Sequence, residues 1–368
     1  MDIPRGTAAI TLARMAIPTE PIGSVPRPAE LLKAMEGHSA GRASAEELES
    51  AYESAVCDTL HRFEATGSPI ITDGEQRKSS FATYPLEGLT NLSPDGVVIP
   101  FKDGHTRQLP RLAAGPFRYG KYAGEYVRRA KPFANRPLKQ AVISASALSL
   151  LYPADGIKGY SREQFIEDLI AEAVADITSA LNAGAECVQI DFTEGRLSLK
   201  LDPSGALLKS FVDLNNRVLQ RFSASERARI GVHVCPGGDH DSTHSADVDY
   251  AGLLPALFAT NAGRFYLQLS SEADRKTVLR RIAELLGPSQ RVFVGVIDPI
   301  SREIETPEQV CDRVLEAAAI LPLDRLGTTD DCGFSPFADD VSTARDVAFA
   351  KISARVEGTA MAAAKLGV

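Results

Sequence analysis

The chain has 368 residues, of which 44% are hydrophobic and 24% are charged, a balance typical of a folded globular protein. Its formal net charge of −8 argues against nucleic-acid binding, which needs a basic surface. The sequence has no apolar run of the roughly 18–20 residues that cross a bilayer, so we expect no membrane partner. Residues 1–18 lack the apolar core of a signal peptide, and the five cysteines are scattered. We therefore expect a cytoplasmic protein without disulfides.

Eight short segments rich in β-forming residues follow one another along the chain. They cover residues 21–25, 69–74, 141–146, 187–192, 229–235, 264–270, 291–298 and 326–332. The last five are about 30–40 residues apart, the length of one βα unit. Eight such units predict a (β/α)8 TIM barrel, with residues 1–368 forming a single barrel domain. A doubly wound open sheet is the alternative, but the first segment lacks the G-x-G-x-x-G turn of dinucleotide-binding sheets.

Helix signals fall between these segments. Ser161 and Gln164 form a capping box, and Gly184 stands where the following amphipathic pattern stops. Thr306 and Gln309 form a second capping box around a proline at the first helical position. The stretch 342–366 reads as a last helix. These signals support the alternation of strands and helices.

One region breaks this alternation. Residues 91–137 are rich in glycine, proline and β-forming residues. We interpret them as a hairpin and a connection inserted after the second strand. The sequence leaves open whether this segment covers the active site or forms a contact between subunits, and an oligomer is possible.

A histidine and two cysteines fall at predicted strand ends. His233 and Cys235 lie two residues apart, so their side chains share one side of the fifth strand. Cys332 ends the eighth strand. Because catalytic groups of barrels lie at the carboxyl ends of the strands, these three side chains predict a catalytic Zn²⁺ site with one open position. Any one of them taken alone is more simply interpreted as a buried core residue, and it is their joint placement at two strand ends that favours a metal site.

Several short motifs then occur in order along the chain. They are PIGSVPRP at 21–28, TDGEQR at 72–77, VQID at 188–191, HVC at 233–235, GVID at 295–298, IETPE at 304–308 and DCG at 331–333. Together they resemble the strand motifs and the H-x-C zinc pair of the cobalamin-independent methionine synthase family. The length of the chain matches one barrel, resembling the catalytic C-terminal half of the two-barrel enzymes.

This resemblance implies roles for particular residues. It implies that His233, Cys235 and Cys332 hold zinc, and that an amino-acid thiol such as homocysteine binds at Ile22, Ser24, Glu75 and Asp191. Zinc would convert the thiol to a thiolate, the form that attacks carbon. The methyl donor, a folate or a corrinoid, stays open. The simpler alternatives are an ion pair of Glu75 with Arg77 or Lys78, and a strand-end cap for Asp191.

The sequence also departs from the family pattern. The family takes a further zinc ligand, a glutamate, near the end of the sixth strand, where this chain has Gln268 in the strand and Glu272 just after it. A neutral amide is a poor zinc ligand, so the fourth position could be Gln268, Glu272 or water. A loop with two histidines, His240 and His244, follows the zinc pair over residues 236–247. It is either a lid that handles protons or, as the simpler interpretation, a solvated loop that caps the next helix.

Three functions fit these features. The first is a zinc-dependent methyltransferase that converts homocysteine to methionine. The second is a zinc-dependent thiol alkyltransferase acting on an epoxide, resembling the epoxyalkane–coenzyme M transferases. The third is a non-catalytic relative that binds a small ligand or a corrinoid protein, and the presence of all three zinc-type residues argues against it.

Overall fold

A computed structural model of the chain describes residues 17–368, so most of the segment examined for a signal peptide lies outside the described residues. Six parallel strands form the main sheet, in the same order in space as in the chain. They are Lys139–Ile143, Cys187–Asp191, Ile230–Val234, Arg264–Leu267, Arg291–Ile297 and Leu326–Asp330. Consecutive parallel strands joined by helices are the repeating unit of a barrel.

Two shorter segments complete the ring of strands. Thr19 forms a parallel bridge with Thr328 of the last strand, and Ile71 forms one with Leu138 beside the first strand of the sheet. The two segments also meet each other, because the amide of Val25 donates to the carbonyl of Gly74 at 3.1 Å. The chain therefore forms a TIM-barrel fold. The first predicted strand was placed slightly too late, since the bridge is at Thr19 and residues 21–25 are irregular.

Helices cover the outside of the barrel. Their bounds are Ala29–Ser39, Ala45–Ala65, Gly124–Ala130, Ala145–Leu148, Arg162–Ala183, Glu194–Leu201, Ala206–Leu219, Ala224–Arg227, Tyr250–Phe258, Arg275–Leu285, Pro307–Ala318 and Arg345–Leu366. Both predicted capping boxes are confirmed, and Gly184 ends its helix with a φ of 100°, which glycine adopts without strain. No helix among residues 17–368 is long and apolar enough to cross a membrane.

The third predicted strand ends earlier than expected. It stops at Ile143, and the hydroxyl of Ser144 accepts a hydrogen bond from the amide of Ala147 to start a short helix. A serine oxygen at this position satisfies an amide that the first helical turn leaves without a partner. Residues 144–146 thus lie in a cap and a helix.

The barrel interior holds charged groups that are paired. Glu20 accepts hydrogen bonds from Arg264 at 2.7 Å and from the hydroxyl of Tyr266 at 2.6 Å. The ammonium of Lys139 lies 3.8 Å from Glu20 and 3.4 Å from the centre of the Tyr266 ring. Removing one member would leave a buried charge without a partner, so this cluster restricts which substitutions the barrel accepts.

The segment 91–137 contains two nested antiparallel pairs. Leu92–Ser93 pairs with Arg111–Leu112, and inside it Val98–Pro100 pairs with Thr106–Gln108. The tip of this hairpin contacts the loop after the zinc-type pair, because the amide of Lys102 donates to the carbonyl of Thr243 at 3.0 Å. The hairpin therefore packs against a loop at the mouth of the barrel.

Candidate functional site

The three zinc-type residues lie together at the mouth of the barrel. His233 is in the strand Ile230–Val234, Cys235 directly follows it, and Cys332 follows the strand Leu326–Asp330 by two residues. One ligand atom from each lies within 4.8 Å of those of the other two, and the two sulfurs are 3.0 Å apart. All three residues are buried. The structure thus brings together residues that are up to 99 positions apart in the chain, from 233 to 332.

The chemistry of this cluster fits a zinc ion. Nδ1 of His233 lies 3.3 Å from the carbonyl of Tyr266, and its buried Nε2 has no hydrogen-bond partner among the described residues. When Nδ1 donates to that carbonyl, Nε2 carries a free lone pair, the usual arrangement of a metal-ligating histidine. The amide of Gly237 points at the sulfur of Cys235 at 3.4 Å. One imidazole and two sulfurs form a donor set that zinc prefers.

The two sulfurs lie within hydrogen-bond distance of each other. The pKa of Cys332 is well below its ordinary value because Cys235 donates a hydrogen bond to it and His233 lies close by. The pKa of Cys235 is raised in turn, because its proton is held by that hydrogen bond and by burial. The short distance between the sulfurs and the nearby imidazole thus lower the pKa of one thiol and raise that of the other.

The candidates for a fourth ligand are engaged elsewhere. Arg196, almost fully buried, donates to Gln268 at 3.0 Å and to Glu272 at 2.8 Å. The amide nitrogen of Gln268 also donates to Glu272 at 2.9 Å. Neither residue belongs to the cluster of three within the described part of the chain. A metal ion held by these three residues would therefore have a position for an incoming group.

All seven predicted site residues line a common pocket. Its empty volume is about 370 Å³, counting space open to solvent. The predicted residues in its wall are Ile22, Ser24, Glu75, Asp191, His233, Cys235 and Cys332. They come from five separate parts of the chain, so their meeting is a property of barrel closure. Their individual roles remain predictions.

Hydrogen-bond acceptors dominate one side of this pocket. Glu75 pairs through Oε1 with the ammonium of the buried Lys78 at 3.0 Å, so the ion-pair alternative for Glu75 is present as well. Its Oε2 has no partner among the described residues, and neither has Oε1 of Gln189. Gln189 donates through its nitrogen to Asp191 at 2.7 Å, which holds that carboxylate in place. Three neighbouring acceptors suit a ligand group with several N–H donors.

The backbone around Glu75 is unusual. Its φ is 56°, in the left-handed region that non-glycine residues seldom occupy. The carboxylate of Asp73 accepts the amide of Glu75 at 3.0 Å, and Arg27 donates to the carbonyl of Glu75 at 2.9 Å. Such conformations persist where the surrounding structure enforces them, and they concentrate at functional sites. The turn thus presents the Glu75 side chain to the pocket.

Ser24 lies against the segment that follows Cys332. Its hydroxyl accepts the amide of Ser335 at 3.3 Å, and its carbonyl accepts the amide of Phe334 at 3.0 Å. A Cβ added at Gly333 would lie 2.1 Å from the Ser24 hydroxyl, so any side chain there would force this hydroxyl to move. These contacts join the first and last segments of the barrel at the pocket.

The loop 236–247 is folded and largely buried. Gly238–Asp239 pairs with Ser242–Thr243, and the two residues between them, His240 and Asp241, have φ values of 47° and 58°. Positive φ at both central residues is the signature of a tight hairpin turn. Asp239 is fully buried and bonds to Arg107 at 2.5 Å. The interpretation as a solvated loop was therefore wrong: long-range ion pairs attach this segment to the 92–112 hairpin.

The two histidines of this loop differ in environment. His240 is partly exposed and lies near Asp340, while His244 is buried and its pKa is lowered to about 4 because burial disfavours the charged ring. His244 is thus neutral at neutral pH. A Cβ at Gly237 would come within 1.7 Å of the His244 ring, so the glycine makes room for it.

Sequence reasoning did not single out several residues of the site. Gln189 lies two residues before Asp191 in the same strand, so the two side chains point to the same side, and this alternation could have identified Gln189. Arg196 had no such signal, because its partners are 72 and 76 positions away. Glu194 was noted without a role; it is buried and bonds to the hydroxyls of Ser144 and Ser146.

Glu194 provides a test by pH. Burial raises its pKa from an ordinary value of 4.5 to about 7. Between these two pH values the carboxyl group is protonated in the folded state and ionised in the unfolded state. The stability that this group contributes is therefore complete below about pH 4.5, and it is lost as the pH rises through about 7. The Glu194→Gln variant has no such group, so we expect its stability not to fall in this pH range for this reason. Its free energy of unfolding, compared with that of the wild type at the same pH, should rise by roughly 1–3 kcal/mol from acid to neutral pH. Urea unfolding of both proteins at several pH values measures it, and parallel curves would contradict the expectation.

Comparisons with known proteins place the chain in a family. Residues 17–348 match the family model described as "Cobalamin-independent synthase, Catalytic domain". A methionine synthase of Sulfurisphaera tokodaii is 24% identical over 93% of this chain and 91% of its own length. One from Saccharolobus solfataricus is 22% identical over 93% of this chain and 94% of its own.

Solved structures support the same fold. A B12-independent methionine synthase from Shewanella sp. W3-18-1 has a TM-score of 0.73 and 20% identity, covering 95% of this chain and 98% of the other. A second, from Listeria monocytogenes and titled a putative vitamin-B12 independent methionine synthase, has a TM-score of 0.71 and 21% identity, covering 92% and 96%. With the family model matched over most of its length, the chain belongs to the cobalamin-independent methionine synthase family of methyltransferases.

Proposed function

We propose that this protein transfers a methyl group to the sulfur of homocysteine, with a zinc ion held by His233, Cys235 and Cys332. The observation that carries the proposal is the meeting of this imidazole and these two sulfurs with the acceptor-rich side of one pocket. The family match supports methyl transfer to homocysteine. The Shewanella relative was solved in complex with selenomethionine, an analogue of the expected product.

The pocket suits an amino acid with a thiol side chain. Its ammonium would lie at the acceptors of Glu75, Gln189 and Asp191, and its carboxylate beside Ser24. The thiol would then point towards His233 and the two cysteines. A bound zinc ion supplies the means to keep that thiol deprotonated at neutral pH. The chain's own residues hold the amino acid at both ends, so the sulfur has a defined direction of attack.

Among residues 17–368 no carboxylate joins the zinc-type cluster, and this sets the charge of the site. Two thiolates and a neutral imidazole would balance the two positive charges of a zinc ion held there. Gln268 is turned towards Arg196 and Glu272, as its hydrogen bonds with both indicate. Zinc held by His233, Cys235 and Cys332 would leave room for the sulfur of homocysteine and would supply the positive charge that keeps this sulfur deprotonated.

Metal analysis and product analysis test this proposal together. We expect about one zinc per purified chain and formation of methionine from homocysteine with a methylfolate or a methylcobalamin donor. Zinc without methionine, but with consumption of the thiol by an epoxide, would favour the alkyltransferase alternative. A purified chain that binds no zinc would contradict both. The single barrel domain over residues 1–368, the cytoplasmic location and the possible oligomer stay predictions.

A further inference from the structure

Arg107 connects the hairpin of residues 92–112 to two other segments at the mouth of the barrel. It lies in the strand Thr106–Gln108, and 23% of its side chain is exposed. Its guanidinium donates to Asp239 through Nε at 2.5 Å and through one terminal nitrogen at 3.0 Å. It donates to Asp339 through both terminal nitrogens, each at 2.9 Å. One guanidinium thus bonds two carboxylates at once, each in bidentate geometry.

The two carboxylates belong to the segments that follow the two cysteines of the zinc-type cluster. Asp239 comes shortly after Cys235, and Asp339 comes shortly after Cys332. Several residues between each cysteine and its aspartate line the substrate pocket: Gly237, Gly238, Gly333 and Pro336. Arg107 therefore fastens to one point the two segments that leave the sulfur-bearing positions.

Further contacts hold this junction in place. The guanidinium carbon of Arg107 lies 4.1 Å from the centre of the ring of Phe337, which is in the same segment as Asp339. Nε2 of His105, near the tip of the hairpin, lies 3.0 Å from the carboxylate of Asp239, which is fully buried. Breaking the pair with Arg107 would leave Asp239 buried without its main counter-charge, which is costly. The hairpin and the two segments therefore have a defined arrangement.

The two cysteines depend on the segments that follow them. Cys235 directly follows the strand Ile230–Val234, and Cys332 lies two residues beyond the strand Leu326–Asp330, so neither is itself inside a strand. Their sulfurs are nevertheless 3.0 Å apart. A zinc ion bonds each sulfur at about 2.3 Å in tetrahedral geometry, so the two sulfurs must stay within roughly 4 Å of each other. A bond that joins the two following segments helps to keep this spacing.

We propose that Arg107 is a positioning residue of the zinc-type cluster. Through Asp239 and Asp339 it holds together the segments after Cys235 and Cys332, and thus keeps the two sulfurs at the spacing that one metal ion needs. This rests on the proposed function, because it assigns the residue a role towards the zinc ion. The alternative is an ion pair that stabilises the hairpin without influence on the sulfurs.

Arg107→Met tests this role, and Arg111→Met is the matched control. Arg111 lies in the outer pair of the same hairpin and forms a bidentate pair with Asp95, which is in neither segment. We expect the affinity for zinc, measured by competition with a chromophoric chelator, to fall roughly tenfold or more in Arg107→Met. Arg111→Met should bind zinc as the wild type does. Arg107→Lys should lie between them, because an ammonium keeps the charge but lacks the planar fork that bonds two carboxylates.

The reactivity of the thiols provides a second measurement, made on the full-length protein after a chelator has removed metal. An aromatic disulfide reagent modifies the cysteines, and mass spectrometry of peptides gives the rate at each of them. In Arg107→Met we expect Cys235 and Cys332 to react several-fold faster than in the wild type, relative to Cys311. Cys311 is buried outside the cluster, so its rate reports a general loosening of the fold. An equal rise at all three cysteines would show a purely structural role and would overturn the proposal.

Asp339→Asn decides the question if Arg107→Met does not fold. It weakens only the link to the segment after Cys332 and keeps the buried pair of Arg107 with Asp239. Asp95→Asn is its control, since the side chains of Asp339 and Asp95 are exposed to similar degrees, 65% and 60%. We expect Asp339→Asn to weaken zinc binding several-fold and Asp95→Asn to leave it unchanged. Equal zinc affinity in these two variants would contradict the role of Arg107.

The same measurements separate this proposal from the proposed function. If the wild type binds no zinc but Arg107→Met selectively exposes the thiols of Cys235 and Cys332, the proposed function fails and the positioning of the sulfurs by Arg107 stands. If the wild type binds zinc and forms methionine while Arg107→Met and Asp339→Asn keep its zinc affinity, the positioning role fails alone. An active wild type, with weaker zinc binding and selective thiol exposure in Arg107→Met, supports both.

Discussion

The Cys332→Ala variant is expected to lose nearly all of its zinc and its methyl transfer, while the barrel remains folded. Cys332 is one of three grouped ligand atoms, and its loss leaves two, too few for a stable catalytic zinc site. We expect the zinc affinity to fall by roughly a hundredfold or more. Metal content measured by mass spectrometry of the purified protein, together with circular dichroism, checks both parts of the expectation.

Cys311→Ala is the matched control. Cys311 is also a fully buried free cysteine, but it lies in the helix Pro307–Ala318, outside the cluster. Both substitutions remove a small buried group at a cost of about 1 kcal/mol, so their effects on stability are expected to be similar. Stoichiometric zinc in Cys332→Ala, or equal loss of zinc in both variants, would show that the ligand assignment is wrong.

The second large effect is expected at Asp191. In the Asp191→Asn variant the ammonium of homocysteine loses a charged partner, since the pocket acceptors around it include this carboxylate. A hydrogen bond between charged groups is worth about 1.5–3 kcal/mol, so we expect the KM for homocysteine to rise roughly 10- to 100-fold. Zinc content should stay at the wild-type level, because Asp191 is not a member of the ligand cluster. Steady-state kinetics and metal analysis measure the two quantities.

A thiol without an amino group makes this test specific. 4-Mercaptobutyrate is homocysteine with hydrogen in place of the ammonium. The wild type should use it poorly, and Asp191→Asn should affect its use little, since the lost partner has nothing to bind. Asp176→Asn is a control: Asp176 is another buried carboxylate whose pKa burial raises to about 6, but it bonds to Tyr84 and Ala123 away from the pocket. An equal effect of Asp191→Asn on both thiols would rule out ammonium binding by Asp191.

Short-range patterns were enough for much of the fold. The capping boxes at Ser161 and Thr306 formed as expected, because they depend on residues three positions apart. The pair His233 and Cys235 faces one side because side chains alternate along a strand. At Ser144 the side chain caps the start of a helix, so the strand ends sooner than the composition of the segment indicated.

The sequence by itself determined the order of strands and helices, the residue types at the strand ends and the family motifs. Only the tertiary structure decided which of these residues meet. The sulfurs of Cys235 and Cys332, 97 positions apart, come within 3.0 Å because the strands that carry them are both in the barrel. Arg107 forms an ion pair with Asp239, 132 positions away in the loop after Cys235, and so holds that loop in place. Arg196 donates a hydrogen bond to Gln268, 72 positions away. Periodicity reports only neighbours within a few residues, whereas burial, ion pairing and pKa shifts arise from contacts that exist after the chain has closed on itself.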